Sequence, residues 1–287
     1  MKSLISETHS ITPRRPAFDF SKSSLHWIKD DPIASNILNV IHPITPAPER
    51  WFCQTFREAL PYIQDEKLKQ AAIAFIKQEA SHSYGHTLVN RQLHIVEQHL
   101  QDYLKLLDWI FDDMIGSNPL GIKLKNEKLK KHWLKTRLGM VAAAEHITGV
   151  LGHWVLNAET LEKSAIEIEL FRLLQWHGAE EVEHREVADA MFRSMSNSIT
   201  LRTASAVFIF PLFSILAILG IYQIMEKDTE FPQPFKIRDY LRAARQDRVP
   251  KAQMLLKAGM RYFNPKHSPL TEGNTQQALN FLKKMGS

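Results

Sequence analysis

Apolar residues recur at intervals of three and four along the central chain, from Pro48 to about Ser196, and almost nowhere alternate. Positions i, i+3, i+4 and i+7 share one face of a helix, so this spacing predicts helices and no sheet. A first short helix is expected over APERWFCQTFREAL, opened by Pro46 and Pro48 and stopped before Pro61, because proline fits a first turn and breaks an interior. The second starts behind Asp65 as N-cap and runs through EKLKQAAIAFIKQEASHSYGHTLVNRQL, with Leu68, Ala72, Ile76, Glu79, His82, His86 and Leu93 along one face. After an amphipathic connection (HLQDYLKLLDWIFDDM) and the breaker SNPLG, a third is expected from about Glu127 to Asn157, with Leu134, Leu138, Val141, Glu145 and Thr148 in its stripe. The fourth, from about Thr160 to Ser196, puts Leu170, Leu174, His177, Glu181, His184 and Met191 on one side. The expected fold is therefore all-α, a four-helix bundle over residues 48–200, with an irregular N-terminal wrap over 1–47, rich in Pro13, Pro16, Pro32 and Pro43.

Three of those stripes contain carboxylates. A buried Glu is costly unless it is paired or binds a metal, so Glu79, Glu145 and Glu181 require an explanation. Di-metal bundles supply one, built from a Glu on each of two helices and a Glu-x-x-His pair on each of the other two. The chain has those parts in order: Glu49, then Glu79-Ala-Ser-His82, then Glu145, then Glu181-Val-Glu-His184. Spacing i, i+3 turns the helix by about 300°, so both side chains leave one face a turn apart and can share a metal cluster. Four carboxylates balance two divalent cations. His177 adds a seventh candidate ligand, because positions 177, 181 and 184 span only about 60° of arc.

The neighbouring positions sort by the same geometry. His86 lies one turn beyond His82 and is expected behind the ligands or lining the pocket. Glu180 borders the ligand face as an alternative to Glu181, while Glu183 points away, so its removal is expected to spare the metal. His146 lies about 100° round from Glu145, off the site, and Tyr84 about 140° from the Glu79 direction, which argues against a radical-storing tyrosine. Cys53 is expected in the core. Chance alone yields about one Glu-x-x-His in a chain of this composition, so the information lies in the placement of two such pairs on separate helices.

At these residues the chain resembles a bacterial family labelled predicted metal-dependent hydrolases, within the ferritin-like di-metal carboxylate proteins. The resemblance runs through RRPAFDF, HWIKDDP, PERWF, FIKQEASHSYGH, AAEHITG and WHGAEEVEHREVADAMF. It implies a ferritin-like bundle holding two metal ions. The helix His177-xxx-Glu181-xx-His184 is also similar to the ligand helix of the di-iron arylamine N-oxygenases. By that likeness Glu49, Glu79, His82, Glu145, His177, Glu181 and His184 would all be iron ligands.

Composition narrows the setting. The 287 residues carry 36 Lys plus Arg against 31 Asp plus Glu, yet the whole surplus lies in the last sixty or so residues. No nucleic-acid-binding signature accompanies it, so no nucleic-acid partner is expected. A single cysteine forms no internal disulfide, and the N-terminus lacks a secretory apolar core, so a cytoplasmic setting is expected. Ala204 to Met225 is uncharged over 22 residues and heads a hydrophobic and basic extension spanning 201–287. It is long enough to cross a bilayer, but Arg193, Arg202 and the basic tail would hold both flanks on the cytoplasmic side. A monotopic insertion on the inner membrane face, a hairpin broken at Pro211, or a buried helix forming a homodimer each reconciles those flanks.

The function expected from these residues is that of a non-haem di-iron oxidoreductase, using O2 and an electron donor on an organic, lipophilic substrate. Manganese and zinc fit the same ligands. A di-metal hydrolase acting on an ester or phosphate is the alternative, and metal storage the third reading.

Overall fold

The computed structural model describes residues 4–5, 11–94 and 100–285. Residues 1–3 and 6–10 of the expected wrap, and His99 at the head of the connecting segment, lie outside that range. The described chain is all-helical: α1 (Pro32–Asn39), α2 (Ile41–Ile44), α3 (Pro46–Ala59), α4 (Glu66–Gln92), α5 (Gln101–Asp108), α6 (Glu127–Val155), α7 (Glu159–Glu162), α8 (Ile168–Met195), α9 (Ile199–Lys227), α10 (Ile237–Arg245), α11 (Ala252–Tyr262) and α12 (Thr275–Met285). Among the described residues the only extended pairing is an isolated antiparallel bridge between Ile28 and Ile166.

Local chemistry sets the helix starts. The Asp65 carboxylate accepts from the backbone N–H groups of Lys67 and Leu68 at the head of α4, and Asn126 accepts from Lys128 N at the head of α6. Pro46 occupies the first turn of α3, where its missing N–H leaves no bond unmade.

Helices α3 and α4 pack together, α6 packs on α8, and contacts of α4 with α8 and of α3 with α6 close a four-helix bundle. Its core is aromatic, with Trp27, Trp51, Trp176, Phe56, Phe75 and Phe171 essentially sealed from solvent. Each such side chain contributes on the order of 1.5–3 kcal/mol of burial free energy. The tightest seam joins α6 to α8, where a methyl group added to Gly152 would lie 2.1 Å from the Gly178 carbonyl oxygen.

Two expectations need correction. Residues 32–44 are helical, since Pro32 stands in a first turn and Asp31 caps α1 by accepting from Ala34 N. The fourth helix does not run unbroken from Thr160. It is the short α7 followed by α8, because the intervening chain pairs with the N-terminal segment: Lys29 N donates to Ala165 O and Glu167 N to Trp27 O, both at 2.9 Å.

The hydrophobic segment forms one continuous helix, α9, with no break at Pro211. In the turn after Pro211, Ser214 Oγ donates to Phe210 O at 2.8 Å. One side of α9 is committed to the protein: Ile209, Leu216, Ile221 and Ile224 are buried, and Tyr103 Oη donates to Leu216 O. Among the described residues it is the one helix long and apolar enough to cross a membrane. Farther on, α12 packs against α8, and Arg185 donates to Pro269 O and Thr275 Oγ1.

Candidate metal centre

Each bundle helix contributes to one polar cluster inside the apolar core. Glu49 comes from α3, Glu79 and His82 from α4, Glu145 from α6, and His177, Glu181 and His184 from α8. All seven are buried except for slight exposure of the His177 ring. The carboxylate of Glu181 is the hub. Its Oε1 lies 2.9 Å from His177 Nε2, 3.6 Å from His82 Nδ1 and 3.7 Å from His184 Nδ1. Glu49 Oε1 sits 3.3 Å from His177 Nε2, and Glu79 Oε1 2.6 Å from His184 Nδ1. Glu145 closes the far side, with Oε2 3.7 Å from His184 Nδ1.

Two overlapping sets have donor atoms within 4.8 Å of one another: Glu49, His82, His177 and Glu181, and Glu79, His82, Glu181 and His184. An imidazole nitrogen holds one cation whereas a carboxylate can bridge two, so Glu181 is the natural bridge. The donor set also fits cations by its deficits. Glu49 Oε2, Glu79 Oε2, both oxygens of Glu145, Glu181 Oε2 and His82 Nδ1 are buried without a hydrogen-bond partner. Buried polar atoms are ordinarily paired, and six unpaired ones in one cluster are what bound cations would satisfy.

The outer nitrogens of the histidines are all engaged. His82 Nε2 donates to Glu180 at 2.9 Å, and His184 Nε2 donates to Gln78 Oε1 at 2.8 Å. The Gln78 amide is oriented by its nitrogen, which faces two acceptors, Thr12 O and Glu183 Oε2. Its oxygen must therefore accept, which fixes the His184 proton on Nε2 and leaves Nδ1 to face the cluster. Behind His177, His86 Nε2 lies 2.7 Å from His177 Nδ1, and His86 Nδ1 lies 2.8 Å from His42 Nδ1. Burial keeps both outer rings neutral, taking His42 down to about 3 and His86 well below its usual range. His86 and His42 thus back the Nδ1 side of His177, while its Nε2 faces Glu181 and Glu49.

His86 lies against His177 Nδ1, and Glu180 lies against His82 Nε2 rather than among the facing donor atoms. Glu183 does not point away. It is buried, accepts from Gln78, and shares Arg14 with Glu180, at 3.0 and 2.9 Å. His82, Glu180, Arg14, Glu183, Gln78 and His184 thus form a hydrogen-bonded arc, which Glu181, between His82 and His184, completes into a ring. Arg14 and Gln78 lie within RRPAFDF and FIKQEASHSYGH but, like His42, show no ligand spacing in the sequence, and the segment bearing Arg14 meets α8 only in the folded chain. His146 is off the site, donating to Ala258 O at 2.9 Å, and Tyr84 is exposed on the surface. Cys53 is buried beside Ile76 O, and burial pushes its thiol up to about 12.

Outer partners of metal ligands tune affinity by about 10–100-fold. Arg14→Ala and Glu183→Ala are expected to weaken cation binding by about that factor while the protein stays folded, as read by chelator competition. Unchanged affinity in both would reduce the ring to packing.

Without cations the cluster is electrostatically frustrated. Burial, then the neighbouring carboxylates, raise Glu49 and Glu145 well above the usual carboxyl range, and burial takes Glu79 up to about 7. Burial opposes the His184 charge, yet Glu79 and Glu181 hold this ring well above its usual range. Burial likewise opposes the Glu181 charge, but hydrogen bonds with His177 and His184 hold it well below the carboxyl range.

The raised carboxyls bind more protons folded than unfolded, so their contribution is lost as pH climbs from about 4.5 through their folded values. The raised His184 loses its contribution in the same direction. His42, His82 and His86, all lowered first by burial, act oppositely, but that effect is complete once unfolded imidazole has lost its proton above about 6.5. The Tm of metal-free protein should therefore fall as pH rises beyond neutrality, and Mn(II) or Zn(II) should flatten the curve. A metal-free curve that is level or rising there would contradict the carboxylate assignment.

A cavity of about 260 Å³ lined by Glu58, Ser117, Lys123, Lys130, Trp133 and Arg137 includes none of the cluster residues. The cluster itself is walled by aromatic rings, with Trp176 at 4.8 Å from the His82 ring and Phe75 at 4.6 Å from the His184 ring.

A profile of the family described as predicted metal-dependent hydrolase matches residues 12–273. The chain belongs to this family. The match includes Arg14, all four bundle helices, α9 and α11. No curated protein and no solved structure matches the chain.

Proposed function

We propose that this member of the predicted metal-dependent hydrolase family is a di-metal enzyme on a ferritin-like bundle. Its two divalent cations would be held by Glu49, Glu79, Glu145 and Glu181 together with His82, His177 and His184. The convergence of six buried, unpartnered donor atoms from four helices carries this reading. When bound, such a pair supplies Lewis acidity and a water acidified toward neutral pH, and iron would add redox capacity. The chain does the rest. Glu180, Gln78 and His86 set the orientation of the three imidazoles, Arg14 offsets the charge of Glu180 and Glu183, and Trp176 and Phe75 keep bulk water from the donors.

The family description supports hydrolysis as the leading chemistry, and an ester or phosphate of a small organic molecule is the substrate class we propose for it. Dioxygen activation with an external electron donor is the second reading. It is favoured by the donor set itself, four carboxylates and two imidazoles in the arrangement of di-iron carboxylate bundles, with His177 as a third imidazole, inside a helical bundle. Iron is then the first metal to test, with manganese and zinc beside it.

The test reconstitutes metal-free protein separately with Zn(II), Mn(II) and Fe(II) and assays aryl esters and aryl phosphates under argon. Metal-dependent cleavage that His184→Ala abolishes supports hydrolysis. Absence of cleavage, with O2 uptake coupled to Fe(II) oxidation, replaces it by the second reading.

A further inference from the structure

The outward side of α9 has no partner in the fold. Val207, Phe208, Ile215, Ile218, Leu219 and Tyr222 recur at helical spacing and are exposed, while the opposite side of the same helix is buried against the bundle. Helix α11 extends this surface. It lies beside α9 through Phe210, whose ring is 6.0 Å from that of Phe263 and 3.5 Å from a methyl group placed on Gly259. Leu256, Met260 and Phe263 form its own outward apolar row, with Leu256 at 70% and Met260 at 75% exposure. The outward apolar rows of α9 and α11 thus lie on two helices that meet at Phe210, together more than the scattered exposed residues of an ordinary soluble protein.

Charge says what covers it. Residues 248–271 hold five Lys or Arg and no Asp or Glu, and α9 carries no charge from Thr203 to Met225. Arg248, Lys251 and Arg261 are engaged by Asp30, Asp247 and Glu272. Lys257 and Lys266 stand exposed, and Lys257 adjoins Leu256 in the outward row. Cations bordering an apolar helix face suit the boundary between acyl chains and anionic headgroups, where apolar area and electrostatic attraction add. A second copy suits it less, since a two-fold interface through this surface would set the two basic helices against each other. Spanning is disfavoured by the buried side of α9, which is held by Tyr103 and by buried Arg202.

We propose that the outward faces of α9 and α11 form a monotopic docking surface for anionic lipid bilayers, with both helices lying in the plane of one leaflet. This does not depend on the chemistry of the metal centre.

The test is flotation of the full-length protein with vesicles of pure phosphatidylcholine and of equal parts phosphatidylcholine and phosphatidylglycerol. Binding to the mixed vesicles is expected, weaker in the neutral ones and declining with salt. Leu256→Glu with Met260→Glu, and separately Ile215→Glu, should each cut binding at least tenfold with helical circular dichroism and Tm unchanged, because these side chains touch no core. Lys257→Glu with Lys266→Glu should remove the preference for the anionic vesicles. Failure to float with either vesicle overturns the proposal, as does undiminished binding of the folded Glu variants. A concentration-dependent dimer that those variants dissociate, with no flotation, would assign the surface to a second copy instead.

Discussion

Glu181→Ala is expected to lose both cations, with affinity falling by more than about 100-fold, beyond the 10–100-fold effect of an outer partner. Glu181 is the carboxylate shared by both donor sets, and its Oε1 lies within 3.7 Å of the facing nitrogens of His82, His177 and His184. Removing it takes a charge from each half of the centre and leaves three imidazoles facing one another. Glu181→Gln separates charge from shape. It keeps the volume and one acceptor but cannot bridge two cations, so it should lose metal almost as completely. Metal content by mass spectrometry after dialysis, with circular dichroism as control, reads both. Two cations retained in either folded variant would remove Glu181 from the bridge.

The second large effect is mechanical. Gly152→Ala puts a methyl group 2.1 Å from Gly178 O and 2.8 Å from Gly178 C, both backbone atoms that no rotamer change can withdraw. Helices α6 and α8 must then separate, and the cost is expected at about 3 kcal/mol, the upper end of ordinary overpacking. For a chain of this size that corresponds to a Tm drop of about 6 °C or more. The same separation moves Glu145 away from His184, so cation affinity should fall as well. Gly149→Ala is the control on the same seam, because its methyl group would meet Glu181 O at 3.4 Å and nothing closer. Equal stability of the two variants would show that the seam yields without strain.

The long helices were legible because periodicity and caps agree. Asp65 reads as an N-cap and caps α4, and the stripe through Glu145 becomes the inner face of α6. The same spacing identified the residues that the fold brings together, since side chains three and four apart must leave a helix on one side. A helical wheel does not show what lies over a helix, however. Glu183 reads as outward on α8, but the N-terminal segment covers that side and delivers Arg14 to it. His42 was hidden for a related reason. Pro32 and Pro43 read as part of an irregular wrap, whereas Pro32 opens a helix and Pro43 sits within the short α2, placing His42 behind His86. The interruption between α7 and α8 depends on hydrogen bonds to Trp27 and Lys29, more than a hundred residues away, which no local pattern encodes.

The ring of outer partners also bears on how the centre is tuned. Glu180 and Glu183 add carboxylates around a cluster already rich in them, and Arg14 is the cation that pairs with both. Because Glu180 holds His82 and Glu183 reaches His184 through Gln78, a shift at Arg14 is transmitted to both cation positions.

The most direct test of the account is an anaerobic titration of metal-free protein with Fe(II), counting cations bound per chain, followed by exposure to O2 with the visible spectrum recorded. The account predicts two irons per chain, with binding lost in Glu181→Ala and His184→Ala; an oxygen-dependent band would then select the redox chemistry over hydrolysis. Failure to bind Fe(II), Mn(II) or Zn(II) in a folded protein would contradict the reading of these seven residues as a metal centre.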